Sequence, residues 1–411
     1  MPTVAVVGGS VAGVRVAQAL RSEGHDGRIV LVDREPHLPY DRPPLSKQFL
    51  AGGRDLAGVT LLTEEMAGRL GIELRLGSAA ERLDPRGRTL RLADGTTLDW
   101  DAVVLATGAD ARAVPWPVSS GVHVVRCLDD ARALRAELVP GAPLVVVGGG
   151  FIGAEVAATA RSAGCAVTVV DPLPAPIGRV VGPEVGALFT ELHHRHGVAT
   201  RFGTGVAGIE GGSGRLRVLL DDGSSLGAAA VVVGIGAVPN DAWLASSGLR
   251  IEDGVVTDEH CRAVDDAGAQ AAGVYAVGDG ARSYRRGLGR HVRAEHWTNA
   301  SEMAAVAAHN IVAPEDLRVH DPVEYVWSDQ YDWKIQIAGR PVEADRHELV
   351  GSIAGDAARG AAVYAGADGR LCGAVTVNWP KAMFLCRRML GDGTMADETL
   401  GRLRALDDAR R

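Results

Sequence analysis

The chain carries one local pattern twice: an apolar strand, a glycine-rich turn, a helical stretch and a second strand that ends in aspartate. In the first copy, apolar residues 3–7 precede GGSVAG and VRVAQALRSEG, and strand 28–32 leads into Asp33. In the second copy, residues 143–147 precede GGGFIG and AEVAATARSAG, and VTVV leads into Asp171. This duplicated βαβ unit predicts an α/β fold with parallel sheets.

The second copy has the spacing of a dinucleotide-binding turn. Gly148 permits the tight turn, Gly150 lets the backbone approach a pyrophosphate, and Gly153 lets helix and strand pack closely. The helix N-terminus then offers N–H groups and a positive dipole end to the phosphates. Asp171 is predicted to accept hydrogen bonds from an adenosine ribose and to repel a 2′-phosphate. Residues 172–178 contain no arginine that could bind such a phosphate. The pattern therefore predicts NAD in preference to NADP.

The first copy deviates at one position, because Ser10 stands between Gly8 and Gly13 where the middle glycine is expected. Serine is small, so an approach to pyrophosphate is still expected there. Two acids are candidates for the ribose contact, Asp33 and Glu35. Two nucleotide sites in one chain indicate a flavin and a nicotinamide that exchange hydride.

Composition excludes several other classes of protein. The 411 residues suggest two to three domains, and 46% apolar with 23% charged residues is typical of a globular chain. A net charge of −8 argues against a nucleic-acid binder. We expect no signal peptide and no membrane span. The five cysteines include no CxxC pair, which indicates a cytoplasmic protein whose redox chemistry depends on a bound cofactor.

Longer segments resemble the FAD-dependent ferredoxin reductases of bacterial oxygenase systems, the putidaredoxin, rhodocoxin and rubredoxin reductase group. The matching segments are GGSVAG, PHLPYDRPPLSK, VVLATGA, VVVGGGFIGAEVAATA, VYAVGDGA, VRAEHWTNA, WSDQYDWKIQIAG and VNWPKA. The resemblance implies a fold like that of glutathione reductase, with two Rossmann-like domains and a small α+β C-terminal domain. It implies FAD binding by 1–112 and 242–318, NAD binding by 113–241, and a C-terminal reductase domain at 319–411.

The resemblance also implies roles for individual residues. Lys47 is expected beside the reactive part of the flavin, and Glu155 near the nicotinamide and Lys47; these two are the predicted catalytic residues. Arg126 is expected to contact the flavin, although Cys127 replaces the threonine usual after it. The other residues expected to bind FAD are Gly8, Ser10, Ala12, Gly13, Asp33 or Glu35, Arg42, Ala80 (adenine), Asp279 (ribityl chain) and Trp297 (ring system).

The implied activity is electron transfer from NADH through FAD to a ferredoxin, an iron–sulfur protein that serves a haem monooxygenase or a non-haem dioxygenase. No metal site, nucleic acid or membrane is expected, and both a monomer and a homodimer are open. Two alternatives are an NADH oxidase or monodehydroascorbate-type reductase, and a redox sensor similar to the apoptosis-inducing flavoproteins.

A basic cluster predicts where an acidic ferredoxin docks. Its members are Arg282, Arg285, Arg286, Arg290, His291 and Arg293, and Arg387 and Arg388 are possible additions. A basic surface would steer an acidic partner and raise the association rate. The alternative is a solvated arginine-rich loop.

Overall fold

The computed structural model describes residues 2–117, 120–355 and 357–408. The strands of this part of the chain are β1 (Thr3–Val7), β2 (Arg28–Asp33), β3 (Ile72–Leu76), β4 (Ala80–Asp84), β5 (Thr89–Leu92), β6 (Thr97–Asp99), β7 (Ala102–Leu105), β8 (Ala109–Ala111), β9 (Val122–His123), β10 (Pro143–Val147), β11 (Ala166–Asp171), β12 (Ala199–Phe202), β13 (Val206–Gly212), β14 (Arg215–Leu220), β15 (Ser225–Ala228), β16 (Ala230–Val233), β17 (Ala237–Pro239), β18 (Val255–Thr257), β19 (Arg262–Val264), β20 (Gln270–Ala276), β21 (Ala281–Arg285), β22 (Arg290–Val292), β23 (Tyr325–Gln330), β24 (Trp333–Gly339), β25 (Arg346–Ser352), β26 (Arg359–Ala365) and β27 (Leu371–Val377).

The α-helices are α1 (Val11–Ser22), α2 (Glu64–Leu70), α3 (Leu128–Glu137), α4 (Phe151–Ser162), α5 (Gly178–Val181), α6 (Pro183–Arg195), α7 (Trp297–Val312), α8 (Pro380–Gly391) and α9 (Ala396–Asp408). Short 3₁₀ turns cover Pro43–Ser46, Ala57–Val59, Ala242–Leu244, Gly278–Gly280, Arg286–Leu288 and Pro341–Glu343.

The chain divides into two compact units. Unit 1 comprises Met1–Arg42, Leu56–Asp110 and Ala237–Pro322, and unit 2 comprises Pro43–Asp55, Ala111–Gly236 and Val323–Arg411. Unit 1 contains the first glycine-rich turn and unit 2 the second. The short segment Pro43–Asp55, which includes Lys47, therefore groups with the second turn. The three domain boundaries inferred from the sequence stay a prediction.

Unit 1 is built on a nine-stranded sheet in the order β22-β21-β18-β19-β20-β7-β1-β2-β3. Its part around β1 is parallel, because β1 pairs with β2 and β7, and β7 with β20. The strands at the centre are continuous apolar runs, as expected when both faces of a sheet are buried. Helices α1 and α7 pack together. Alanines of α7 at helical spacing, such as Ala300, Ala304 and Ala307, join the core of this unit.

Unit 2 combines a five-stranded parallel sheet, β12-β11-β10-β16-β9, with a five-stranded antiparallel sheet, β23-β24-β27-β26-β25. Val185, Phe189 and Leu192 of α6 share one hydrophobic cluster with Trp333 and Ile335 of β24. This shared cluster attaches the C-terminal sheet to the helices that follow β11. The two Rossmann-like sheets and the small C-terminal sheet are the layers of the predicted α/β class.

Candidate functional site

The turn after β1 is a backbone structure that excludes side chains at two positions. Gly8 has a φ of 117°, and its N–H donates to Val32 O at 2.8 Å. A Cβ on Gly8 would lie 2.2 Å from Ala106 O, and a Cβ on Gly13 would lie 1.8 Å from Gly8 O. Only glycine fits at both places, so the turn lies tightly against the start of α1. This is the close packing that a dinucleotide turn needs.

Ser10 precedes the first residue of α1, and its hydroxyl makes no capping hydrogen bond with that helix. Instead, its Oγ accepts from Arg42 Nε at 3.3 Å. The Ser10 side chain therefore leaves the N–H groups of the first turn available, and it holds a guanidinium near them. Free N–H groups at a helix start and a nearby cation fit the pyrophosphate of FAD.

Two carboxylates lie at the end of β2, Asp33 as its last residue and Glu35 two residues further on, and they have different partners. Asp33 accepts the N–H of Gly9 through Oδ2 and the N–H of Glu35 through Oδ1, the latter at 2.8 Å. Glu35 accepts from Tyr40 OH at 2.5 Å and from Arg42 Nη2 at 2.9 Å. Burial raises the pKa of the Asp33 carboxyl. Asp33 thus ties the strand end to the glycine turn, and Glu35 anchors Arg42. Their competing assignment to the ribose stays a prediction.

The turn that carries Asp279 lies beside the first glycine turn. Asp279 is the central residue of Gly278–Gly280, and its carbonyl accepts from Arg293 Nη1 at 3.3 Å. A Cβ on Gly278 would lie 3.1 Å from the Cβ of Ala12, which is buried in α1. The fold therefore brings together two segments, both predicted to bind FAD, that are far apart in the sequence.

The structure places three further residues predicted to bind FAD at separate points. Trp297 opens α7, and its Nε1 donates to Asp41 Oδ1 at 2.9 Å. Ala80 opens β4 in unit 1. Arg126 lies in unit 2, where its backbone N–H donates to Asp130 Oδ2 at 3.0 Å just before α3. The contacts of these side chains with FAD stay predictions.

The turn after β10 repeats the first turn with one difference. A Cβ on Gly148 would lie 2.3 Å from Gly234 O, and a Cβ on Gly153 would lie 1.9 Å from Gly148 O. A Cβ on Gly150, in contrast, would meet no protein atom within 4 Å. The fold does not itself require glycine at position 150, and this open backbone fits the close approach of an NAD pyrophosphate.

Asp171 closes β11 next to this second turn. Its Oδ2 accepts the N–H of Gly149 at 2.6 Å, and its Oδ1 accepts the N–H of Leu173 at 2.8 Å. Each carboxylate oxygen has further acceptor capacity, so these bonds leave room for ribose hydroxyls. The negative charge at this position fits NAD and disfavours a 2′-phosphate.

The two predicted catalytic residues meet in unit 2, in a set of side chains that we term the Glu155 cluster: Ser46, Lys47, Glu155 and Ser328. Lys47 Nζ lies 2.9 Å from Glu155 Oε2, and the side chains are 11% and 4% exposed. Ser46 Oγ donates to Oε2 at 2.5 Å, and Ser328 Oγ donates to Oε1 at 2.7 Å. The opposite charge of Lys47 and two hydroxyl donors thus offset the free-energy cost of removing the Glu155 carboxylate from water.

Sequence reasoning assigned no role to three residues at this place: Ser46, Ser328 and Gln330. Gln330 Nε2 donates to Ser328 Oγ at 3.2 Å, and both residues are fully buried. All three lie in the segments PPLSK and WSDQY, which carry the family resemblance. The polar residues of these segments were the available signal, but only the fold shows that they are buried and converge on Glu155.

The five cysteines form no redox pair. All are free thiols, and Cys165, Cys261 and Cys386 are buried. Burial raises the pKa of every one of the five, to about 11 for Cys372. Thiols that stay protonated are poor nucleophiles, so the five cysteines offer no dithiol relay for electrons.

The predicted basic cluster at 282–293 is wrong as a continuous docking surface. Arg285 is only 2% exposed and donates to Asn299 Oδ1 at 2.9 Å. Side chains alternate along β21, and this alternation turns Arg285 into the core. Acidic partners compensate the charge of three neighbours: Arg282 pairs with Asp253, Arg286 with Glu259, and Arg293 with Asp253 and Glu295.

Helix α8 presents basic residues differently. Lys381, Phe384 and Arg388 are exposed along one face, and Phe384 is 75% exposed. Arg387 lies over the ring of Tyr325, at 4.5 Å from its centroid. We call Lys381, Phe384 and Arg388 the α8 stripe.

Within the described ranges, no helix combines the length and apolar character needed to cross a membrane. The same part of the chain contains no group of three or more His, Cys, Asp or Glu side chains arranged to hold a metal ion.

Two dinucleotide turns, each with its own acid, together with a buried Lys–Glu pair, are the features of an oxidoreductase that uses two nucleotide cofactors. Comparison with known proteins agrees. Residues 2–304 match the family described as pyridine nucleotide-disulphide oxidoreductase, and residues 325–402 match the reductase C-terminal family.

Similar proteins cover nearly the whole chain. The ferredoxin–NAD(+) reductase component of the anthranilate 1,2-dioxygenase system of Burkholderia cepacia is 39% identical, over 95% of each chain. Rhodocoxin reductase of Rhodococcus erythropolis is 35% identical, over 94% of this chain and 89% of that protein. The crystal structure of a covalent putidaredoxin reductase–putidaredoxin complex matches with a TM-score of 0.90 and 32% identity, over 98% of this chain and 99% of the other.

The chain therefore belongs to the pyridine nucleotide-disulphide oxidoreductase family, in its branch of ferredoxin–NAD(+) reductases. The family resemblance and the fold class inferred from the sequence are confirmed. The cofactors of this family are FAD and NAD(H), as the two turns predicted, and the chain is an NADH-dependent flavoprotein reductase.

Proposed function

We propose that this protein passes electrons from NADH through FAD to a ferredoxin-type iron–sulfur protein that serves a monooxygenase or dioxygenase. The observation that carries the choice of acceptor is the state of the cysteines, since all five are unpaired and have raised pKa values. A thiol relay to a disulfide substrate is therefore absent, and electrons leave without one. Relatives named as ferredoxin reductase components of oxygenase systems support the same acceptor.

The two glycine turns divide the cofactors between them. When bound, FAD accepts a hydride from NADH and supplies electrons singly to an iron–sulfur acceptor. The residues proposed to hold FAD are Gly8, Ser10, Ala12, Gly13, Asp33 or Glu35, Arg42, Ala80, Arg126, Asp279 and Trp297. The residues proposed to hold NAD(H) are Gly148, Gly150, Gly153 and Asp171.

Lys47 and Glu155 are proposed to act as a pair. The ammonium of Lys47 would stabilise negative charge that develops on the flavin, and Glu155 holds this ammonium in place at 2.9 Å. Both side chains are nearly enclosed, so their charges act in a medium that screens them weakly. The pair supplies orientation and charge, and no side chain is required as a nucleophile.

The α8 stripe is the proposed docking surface for the acidic ferredoxin. We propose this surface in place of the cluster at 282–293, where Arg285 is buried and Arg286 and Arg293 form ion pairs with acidic residues. Lysine and arginine flank an exposed phenylalanine on one helix face, and α8 itself carries no acidic residue. Basic charge would steer an acidic partner, and the aromatic ring offers an apolar contact. We further propose that the protein is cytoplasmic, consistent with its free thiols.

Anaerobic and aerobic turnover test this function. The purified protein should bind one FAD per chain, bleach with NADH, and reduce a [2Fe–2S] ferredoxin much faster than oxygen. Rapid consumption of oxygen without need for ferredoxin would instead identify an NADH oxidase. Slow turnover with a long-lived complex of NAD and reduced flavin would identify a redox sensor.

The role of Lys47 is tested by Lys47→Ala, with Lys334→Ala as the matched control because Lys334 is an exposed lysine of the same unit. Stopped-flow reduction at saturating NADH should be slowed much more than NADH binding is weakened, since the charge matters most after reduction. The control should match the wild type. An unchanged limiting rate in Lys47→Ala would remove Lys47 from the mechanism.

A further inference from the structure

The Glu155 cluster draws its donors from three segments that are distant in the sequence. Ser46 and Lys47 belong to the 3₁₀ turn Pro43–Ser46 and the residue after it, Glu155 to α4, and Ser328 to β23 of the C-terminal sheet. Ser46 and Ser328 are 109 and 173 residues from Glu155 in the chain. The C-terminal sheet thus reaches the acid on the helix that forms the NAD turn.

The hydrogen bonds in the cluster have one direction. Ionised Glu155 can only accept, so the Ser328 hydroxyl donates its proton to Oε1. The Ser328 oxygen is then an acceptor, and it takes the N–H of Gln330 Nε2. Gln330, Ser328 and Glu155 therefore form a short chain of donors that ends on the carboxylate. In a buried setting, the successive hydrogen bonds of such a chain polarise and strengthen one another.

The two carboxylate oxygens of Glu155 have different hydrogen-bond partners. Oε2 receives Lys47 and Ser46, whereas the described residues give Oε1 only the Ser328 hydroxyl. Removal of that hydroxyl would leave a buried anionic oxygen without a donor and would free the carboxylate to rotate. Because Lys47 is held through the same carboxylate, its ammonium would lose its fixed position too.

The geometry of β23 fixes the position of the Ser328 hydroxyl. Ser328 and Gln330 are two residues apart on β23, so they lie on the same face of the strand. Ser328 is paired with Ile335 and Gln330 with Trp333 in the register with β24. Both side chains are fully buried. The hydroxyl is thus fixed by the sheet instead of by a mobile loop.

We propose that Ser328, supported by Gln330, is a positioning residue for the NADH-dependent step: it fixes the carboxylate of Glu155 and, through it, the ammonium of Lys47. This inference rests on the proposed function of the Lys47–Glu155 pair. It gives the C-terminal sheet a share in the chemistry of the NAD-binding half.

The test compares Ser328→Ala, Ser328→Cys and Ser328→Thr in the FAD-loaded protein, and repeats Ser328→Ala in a Glu155→Gln background. Cys keeps the volume with a weak donor, and Thr keeps the hydroxyl. Thr376→Val is the control, because Thr376 is a fully buried residue of β27 in the same sheet. The measurements are the limiting rate of flavin bleaching by NADH, the Kd of NADH, and the reduction potential of the flavin.

We expect Ser328→Ala to lower the limiting rate about tenfold, the factor for one hydrogen bond to a charged group, with Kd changed less than about twofold. Ser328→Cys should be intermediate, and Ser328→Thr should recover most of the rate. The flavin potential should become more negative in Ser328→Ala, as in Lys47→Ala, because a fixed positive charge favours the reduced state. Thr376→Val should change none of these.

The double mutant decides whether Ser328 acts through Glu155. In the Glu155→Gln background, Ser328→Ala should cost less than about twofold further. A full additional loss in that background, or a wild-type rate in both Ser328→Ala and Ser328→Cys, would overturn the inference while leaving the pair intact. A wild-type rate in Glu155→Gln itself would overturn both the proposed role of the pair and this inference.

Discussion

The two βαβ units of this chain have the same backbone design. In each, a five-residue strand, a twelve-residue helix and a six-residue strand follow one another. In each, the aspartate that ends the second strand accepts the N–H of the second glycine of the turn: Asp33 from Gly9, and Asp171 from Gly149. The resemblance extends to the glycines that contact backbone, at the first and last positions of both turns.

The units differ at equivalent side chains. Ser10 stands where the second unit has Gly150. Arg15 occupies the place of Glu155, two residues past the last glycine, and it is exposed and lies 5.8 Å from the Trp297 ring centroid. The backbone therefore makes the same turn twice, and the two units differ in the side chains placed around it.

The largest expected effect comes from the glycines that the two turns share. Gly13→Ala and Gly153→Ala would each place a Cβ within 2 Å of a backbone carbonyl, at 1.8 and 1.9 Å. We expect each to lower the free energy of unfolding by about 3 kcal/mol or more, or to prevent folding. Denaturant unfolding of the purified variants measures this loss.

Gly150→Ala is the matched control for Gly153→Ala, because its Cβ would meet no protein atom. Its free energy of unfolding should stay within about 1 kcal/mol of the wild type. Its affinity for NADH should fall by about five- to tenfold if the open backbone is where pyrophosphate binds. Loss of folding in Gly150→Ala, or a free energy of unfolding in Gly153→Ala equal to that of the wild type, would contradict this distinction between the two glycine positions.

The second prediction concerns the acid of the NAD turn. Asp171→Asn keeps an acceptor for a backbone N–H but removes the charge that is proposed to bind ribose and repel a 2′-phosphate. We expect NADH binding to weaken by about 1–3 kcal/mol, with a smaller change for NADPH. Titration of both nucleotides measures the difference, and Asp33→Asn serves as the comparison in the first unit. An unchanged preference for NADH would assign the discrimination to other residues.

The third prediction compares a buried histidine in each unit. Burial lowers the pKa of His193 to about 4, and that of His320 to about 3 with help from the charge of Arg285. Each histidine stays neutral in the folded state but binds a proton in the unfolded state below its ordinary value of about 6.5. Each therefore costs stability as pH falls from about 6.5 toward 4, at up to about 1.4 kcal/mol per pH unit.

Denaturant unfolding at pH 7 and pH 5 checks this dependence. His193→Gln and His320→Gln should each reduce the loss of stability between the two values by about 1–2 kcal/mol. The wild type measured in parallel is the reference. A slope equal to that of the wild type in either variant would show that this histidine accepts its proton without unfolding.

The smallest expected effect is at the surface of unit 2. Lys381→Glu with Arg388→Glu on the α8 stripe should slow NADH-driven reduction of ferredoxin by about tenfold at low salt, and should flatten its salt dependence. Reduction of ferricyanide should stay unchanged, because a small acceptor needs no docking surface. Arg286→Glu, at the cluster rejected above, is the control. If it slowed ferredoxin reduction as much as the α8 variant, the docking surface would lie in unit 1.

The sequence by itself determined the features that depend on neighbours along the chain. Residues 3–7 were predicted as a strand and form β1, and the predicted strand 28–32 is β2 with Asp33 added. The helix between them begins at Val11, inside the glycine motif, and ends at Ser22 before Gly24, whose φ is 92°. Turn glycines and hydrophobic periodicity are local signals, so they can be recognised without knowing the fold.

Only the tertiary structure decided which distant side chains meet. Arg285 and Arg286 are adjacent in the sequence, yet Arg285 is in the core and Arg286 on the surface, because Arg285 ends β21 facing inward and Arg286 begins the 3₁₀ turn Arg286–Leu288. Ser328 reaches Glu155 because β23 and α4 are packed in one unit, a contact that no local pattern encodes. Burial and long-range hydrogen bonds depend on how elements pack, and that packing is a property of the whole chain.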